Sequence, residues 1–115
     1  MTVTIYHNPR CSKSRQTLAL LEDNGITPKI VTYLDTPPSA AELKRILKKL
    51  RLKPRDIMRK GEARYAELGL KDAGLEDDEL IAAMVENPIL MERPIVVSGA
   101  KAALGRPPEA VLKII

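Results

Sequence analysis

The spacing of apolar residues changes period along the chain, and each change marks an element. Val3-Thr4-Ile5-Tyr6 is a short β-branched run closed by the turn-forming pair Asn8-Pro9, which predicts a strand. From Ser12 the spacing becomes helical, with Thr17, Leu18 and Leu21 in step and Asn24-Gly25 as the stop. Lys29-Ile30-Val31-Thr32-Tyr33-Leu34 predicts a second strand of the same type. A strand, a helix of about twelve residues and another strand make a βαβ unit, whose strands run parallel.

Pro37-Pro38-Ser39 introduces the next helix. Ser39 is a good N-cap, Glu42 completes a capping box, and Leu43, Ile46, Leu47 and Leu50 form the apolar stripe. Lys53-Pro54 starts a short helical piece towards Met58, and Ala63 to Leu68 predicts another, closed by Gly69. Asp77-Asp78-Glu79 opens a further helix at its dipole-favoured end, with Leu80, Ile81, Met84 and Val85 apolar and Asn87-Pro88 as its limit. The tail returns to sheet: Arg93-Pro94-Ile95-Val96-Val97 as a strand, Ser98-Gly99 as a hairpin turn, and Lys101-Ala102-Ala103-Leu104 as a weaker strand ended by Gly105. Pro107-Pro108-Glu109 then starts a last helix, Ala110 to Ile115, with Val111, Leu112 and Ile115 on its inner side. A parallel βαβ half joined to an antiparallel ββα half predicts an α/β fold, a four-stranded mixed sheet with flanking helices. The middle, roughly residues 36 to 90, is expected to be a helical insertion. Thioredoxin-like folds have this architecture, as do other α/β sandwiches.

Length and composition narrow the class. The chain has 115 residues, 44% hydrophobic and 30% charged, the balance of one soluble globular domain. With no Phe or Trp, and only Tyr6, Tyr33 and Tyr65 aromatic, the core must be aliphatic. No stretch approaches the roughly 18 apolar residues of a membrane helix. Met1-Thr2-Val3-Thr4-Ile5-Tyr6 has neither the basic leader nor the small-residue cleavage site of a signal peptide, so the expected location is the cytoplasm. The net charge of +4 favours anionic partners. Because Lys and Arg are interleaved with acids and aromatic residues are scarce, a small anion site is expected rather than nucleic acid. A monomer is the default for a chain of this size.

The single cysteine excludes a disulfide scaffold, a zinc site built on several thiolates and any intramolecular disulfide cycle. A lone cysteine is often an inert, buried hydrophobe. Cys11, however, follows the first strand and begins the first helix, where free amide N–H groups and positive partial charge stabilise a thiolate. Arg10, Lys13 and Arg15 add nearby positive charge, while His7, Asn8 and Ser12 to Ser14 offer hydrogen-bond donors. The same cradle suits a tetrahedral oxyanion, so attack on a disulfide and attack on an oxyanion are both compatible with the local sequence.

Ile5-Tyr6-His7-Asn8-Pro9-Arg10-Cys11-Ser12-Lys13-Ser14-Arg15 resembles the active-site segment of the glutaredoxin-coupled arsenate reductases. The likeness continues through Tyr33-Leu34, Pro37-Pro38-Ser39, Arg59-Lys60, Tyr65, Leu68-Gly69-Leu70 and Asn87-Pro88-Ile89-Leu90. It extends to Arg93-Pro94-Ile95-Val96-Val97 and Gly105-Arg106-Pro107-Pro108-Glu109, essentially the whole chain. The resemblance implies a thioredoxin-like fold, with Cys11 as the nucleophile towards arsenate and His7 assisting its ionisation. It also implies that Arg59, Arg93 and Arg106 bind the oxyanion, and it places Arg93-Pro94 where related folds carry a cis-proline. Asn8, Ser14 and Arg15 are expected to support the loop. Guanidinium groups suit such a substrate because they pair with tetrahedral oxygens through charge-assisted hydrogen bonds. Glutathione is the implied co-substrate and glutaredoxin the implied partner, with no bound cofactor and no metal. An external reductant fits a chain with one thiol.

The loop departs from the best-known arsenate reductases, which carry a small residue before the cysteine and Gly-Thr after it. Arg10-Cys11-Ser12-Lys13-Ser14 looks more like a related arsenate-reductase-like branch. Two other readings compete. A thiol transferase acting on glutathionylated substrates needs no more than Cys-x-x-Ser. A regulator of the Spx type, binding RNA polymerase, usually carries a Cys-x-x-Cys switch, which Ser14 forbids here.

Overall fold

The computed structural model describes residues 2–115, and the first β-branched run is a strand, β1 (Val3–Tyr6). It lies at the centre of a four-stranded sheet of order β2-β1-β3-β4. Here β2 is Lys29–Val31, β3 is Ile95–Ser98 and β4 is Lys101–Leu104. β1 pairs in parallel with β2, Ile5 opposite Ile30, and antiparallel with β3, Ile5 opposite Val96. β3 and β4 form an antiparallel hairpin in which Ser98 faces Lys101. The two-residue turn between them is tight enough to need positive φ, which Gly99 supplies at 59°. The mixed sheet predicted from the order of elements is therefore present.

Residues 2–36 and Arg93–Ile115 make one compact unit around this sheet, and Pro37–Glu92 makes a second. In the sheet unit, α1 (Ser12–Asp23) ends in a Schellman arrangement. Gly25, at φ 77°, donates to the Glu22 carbonyl, and Ile26 donates to that of Leu21, both at 3.0 Å. Ile26 thereby packs against the core that Leu21 enters. That core joins Val3 and Ile5 of β1 to Val96 of β3, Leu18 and Leu21 of α1, and Val111 with Ile114 from the C-terminal turn.

Three elements differ in detail from the sequence expectation. β2 stops at Val31 because the Thr32 carbonyl accepts N–H bonds from Asp35 and Thr36, each 3.0 Å, and the chain turns there. β3 begins only at Ile95, since Pro94 has no N–H to give the ladder. The C-terminal segment is a 3-10 helix over Pro108–Lys113 rather than an α-helix. A repeat of three residues per turn puts Val111 and Ile114 on the inner side. Leu112 and Ile115, expected inside, are exposed.

The second unit is helical. α2 (Ala40–Leu50) is capped by the Ser39 hydroxyl, which accepts the Glu42 N–H at 3.1 Å, and it buries Leu43, Ile46 and Leu47. A 3-10 turn (Pro54–Ile57), α3 (Ala63–Glu67) and α4 (Asp77–Glu86) follow, the last burying Leu80, Ile81 and Met84. An antiparallel bridge of Met58 with Met91 ties the segment after the 3-10 turn to the end of the unit. Arg59 donates there to the Leu90 carbonyl and Glu92 to that of Ile57, each at 2.7 Å. No helix of the described residues is long and apolar enough to cross a membrane.

Candidate active site

The loop after β1 is built by Asn8. The His7 N–H extends the parallel pairing to the Val31 carbonyl at 2.8 Å. The Asn8 carbonyl accepts the Cys11 N–H at 3.0 Å, and its Oδ1 accepts that of Arg10, also at 3.0 Å. Arg15 reaches back from α1 to the Pro9 carbonyl at 2.9 Å. These bonds seat Cys11 at the N-cap of α1 with extended backbone, φ −91° and ψ 122°. The thiol is partly exposed.

An N-cap sulfur stands where a capping oxygen would accept the first amides of the helix. It closes no capping hydrogen bond of strict geometry, yet those amides act on it electrostatically. Burial pushes the Cys11 thiol up. The backbone N–H of Ser14, a hydrogen bond from the Arg93 side chain, the N–H of Lys13 and the charge of Arg93 together outweigh it, so the pKa falls below the ordinary cysteine value. The sequence placed the helpful charge on Arg10, Lys13 and Arg15. In the fold a guanidinium from far along the chain, that of Arg93, acts on the sulfur, and Lys13 contributes through its amide.

Beneath the loop, the fully buried Ser14 hydroxyl accepts the Asn8 N–H at 3.0 Å and lies 2.6 Å from Nδ1 of His7. His7 is buried, and burial first, then the charge of Arg15, lower its pKa. The imidazole is therefore neutral at neutral pH. The Ser14 oxygen, which accepts from Asn8, shares a further hydrogen bond with Nδ1 whose direction follows the ring tautomer.

From the segment after β4, Arg106 joins the sulfur. Its NH2 group is 3.7 Å from Cys11 Sγ, and its Nε donates to the Arg93 carbonyl at 2.8 Å. Both arginines precede prolines in cis peptide bonds, Arg93-Pro94 and Arg106-Pro107. Cys11, Arg93 and Arg106 thus converge. Arg59 lies in the helical unit, where its Nε is 3.3 Å from Glu62 Oε1 and its NH1 group 3.0 Å from Glu92 Oε1.

Two contributors escape sequence reasoning. Gly105 reads from the local pattern as the end of a strand. A Cβ built on it would sit 2.5 Å from Thr17 Oγ1 and 2.6 Å from Pro94 Cγ, so a glycine is required for β4 to pass this close. Thr17 is fully buried in α1, its hydroxyl donating to the Lys13 carbonyl at 2.8 Å. No local motif announces either role, because both partners are distant in the chain.

The chain is similar to known proteins over nearly its whole length. A sequence profile of the ArsC family matches residues 6–114. A 49% identical relative, the arsenate reductase of Neisseria meningitidis, aligns over 98% of this chain and 97% of its own length. The uncharacterized Escherichia coli protein YfgD is 57% identical over 98% of this chain and 96% of its own. The solved structure of an arsenate reductase from Vibrio cholerae superposes with a TM-score of 0.97 at 57% identity, covering 100% of this chain and 98% of the other. The thioredoxin-like fold implied by the sequence resemblance is therefore the fold of this chain, and the chain belongs to the ArsC family.

Proposed function

We propose that this protein reduces arsenate, with the Cys11 thiolate as nucleophile and glutathione and glutaredoxin supplying the electrons. The observation that supports the reading best is the convergence of Arg93 and Arg106 on a cysteine at a helix N-cap. A site of this kind holds two anions, the sulfur and the incoming oxyanion, against their mutual repulsion.

In the proposed sequence the Cys11 sulfur attacks arsenic(V), and one arsenate oxygen leaves as water after protonation. Arg93 and Arg106 hold the remaining oxygens, and Ser14 with the neutral His7 keeps the loop in register. The family resemblance assigns Arg59 to the same oxyanion, a role that would require it to exchange its ion pairs with Glu62 and Glu92 for the substrate. Glutathione displaces a second oxygen as water and forms a sulfur–arsenic bond. A glutaredoxin thiolate then attacks the glutathione sulfur. That bond's electron pair returns to arsenic, reducing it to arsenic(III), and a mixed disulfide of glutaredoxin and glutathione forms. Hydrolysis of the remaining sulfur–arsenic bond releases arsenite and regenerates Cys11. The electrons come from outside because the chain has one cysteine.

The test is a reconstituted assay of purified protein with arsenate, glutathione and glutaredoxin, following arsenite. The proposal requires turnover that Cys11→Ser abolishes and Arg93→Ala lowers by about 10²-fold, the usual effect of losing one oxyanion donor. Absence of arsenite formation, together with reduction of a glutathionylated substrate, would replace it with a thiol transferase.

A further inference from the structure

The helical unit carries a second concentration of positive charge, in residues given no role in the cysteine chemistry above. Arg55, in the Pro54–Ile57 turn, donates through NH1 to the Tyr65 hydroxyl at 2.8 Å and the Leu70 carbonyl at 2.6 Å. Its NH2 group donates to the Asp72 carbonyl at 2.9 Å. All three acceptors are uncharged. Lys60 and Lys71 make no ion pair among the described residues. These three cations line one cavity of about 510 Å³ together with Tyr65, Ala66 and Ala73.

The neighbouring carboxylates are committed elsewhere. Glu62 pairs with Arg59, Glu67 with Arg64, and the Asp72 carboxylate accepts the Gly74 N–H at 2.8 Å. Three like charges gathered in one concavity repel one another unless an anion joins them. The donors for such an anion are in place. A guanidinium has five N–H groups and Arg55 uses three, which leaves two. The Tyr65 hydroxyl accepts from Arg55, so its own proton is free to donate, although the residue is 6% exposed. Because Arg55 is clamped to the backbone, little side-chain freedom is lost when it binds. The tyrosine ring and the two alanines add apolar wall, and the volume falls in the range of small-molecule sites, well above one tetrahedral ion.

We propose that this cavity binds a small organic polyanion, a carbon skeleton bearing two or three phosphate or carboxylate charges, through Arg55, Tyr65, Lys60 and Lys71. The site is independent of the cysteine, so its occupancy does not depend on arsenate being the substrate.

The test titrates the full chain with citrate, pyrophosphate and inorganic phosphate at low salt, mapping amide chemical shifts and measuring Kd. Citrate and pyrophosphate are expected to shift residues 55–73 and to bind more tightly than phosphate, weakening as sodium chloride is added. The exposed pair Lys60→Gln with Lys71→Gln should weaken binding about tenfold, roughly threefold per lysine, with melting unchanged. Shifts confined to residues 7–15 and 93–106, equal affinity in the double variant, or phosphate binding as tightly as citrate would each overturn the proposal.

Discussion

Replacing Gly105 with alanine tests the packing that brings Arg106 to the cysteine. The added methyl would lie 2.5 Å from Thr17 Oγ1, 2.6 Å from Pro94 Cγ and 3.1 Å from Pro94 Cδ. Carbon contacts are comfortable at about 3.5–4.0 Å, so the overlap with the proline ring is near 1 Å. Neither neighbour yields easily. Thr17 is fully buried and bonded to the Lys13 carbonyl, and the Gly105 N–H holds the Pro94 carbonyl at 2.9 Å. Overpacking of this kind costs about 1–3 kcal/mol. For a domain of this size, each kcal/mol lowers the melting temperature by about 4 °C. Urea unfolding should therefore show a lower midpoint at unchanged slope. The displacement also moves Arg106 relative to Cys11, so thiol alkylation at neutral pH should slow. Gly61→Ala is the control, because nothing lies within 4 Å of its Cβ. That substitution should be neutral or stabilise by up to about 1 kcal/mol through the unfolded chain. A Gly105→Ala protein as stable as wild type would refute the close-approach argument.

Three further outcomes are expected. The rate of Cys11 alkylation should rise with pH around a midpoint below that of free cysteine, and Arg93→Ala should raise that midpoint; a wild-type value at or above free cysteine would exclude the thiolate. His7 has a depressed pKa in the folded state, so its stabilising contribution is fully present above the unfolded value of about 6.5 and declines as pH falls below it. Urea midpoints should accordingly drop on acidification through that window, with a shallower drop in His7→Asn; identical slopes would contradict the burial argument. Ser39→Ala should cost about 1 kcal/mol in the same assay, the usual value of an N-cap, and a change near zero would mean the bond to Glu42 is not made in solution.

Elements governed by local rules are legible in the sequence. β1, α1 and α2 appear at the expected places because period, caps and the Gly25 stop all lie within a few residues of each other. β2 and β3 are shorter than the apolar runs that encode them, since hydrogen bonding at Thr32 and the missing N–H of Pro94 override composition. The C-terminal stripe misleads for a different reason, in that three- and four-residue periods diverge by the second turn and put Leu112 outside. At the site, the N-cap position of Cys11 follows from local pattern, but Arg93 and Arg106 lie at least 80 positions away and enter only through the family resemblance. Physics of the local sequence would have assigned the electrostatic work to Arg10 and Lys13, whose proximity along the chain says nothing about where their charges point.

The bond from Arg106 Nε to the Arg93 carbonyl ties the position of one guanidinium to the backbone of the other. Selection would then meet the backbone at 93 and the side chain at 106 as a single heritable character. A lineage that lost Arg93 through a backbone rearrangement would also leave Arg106 poorly aimed, whereas one that kept the strand end intact could trade either side chain without disturbing the seat of its neighbour.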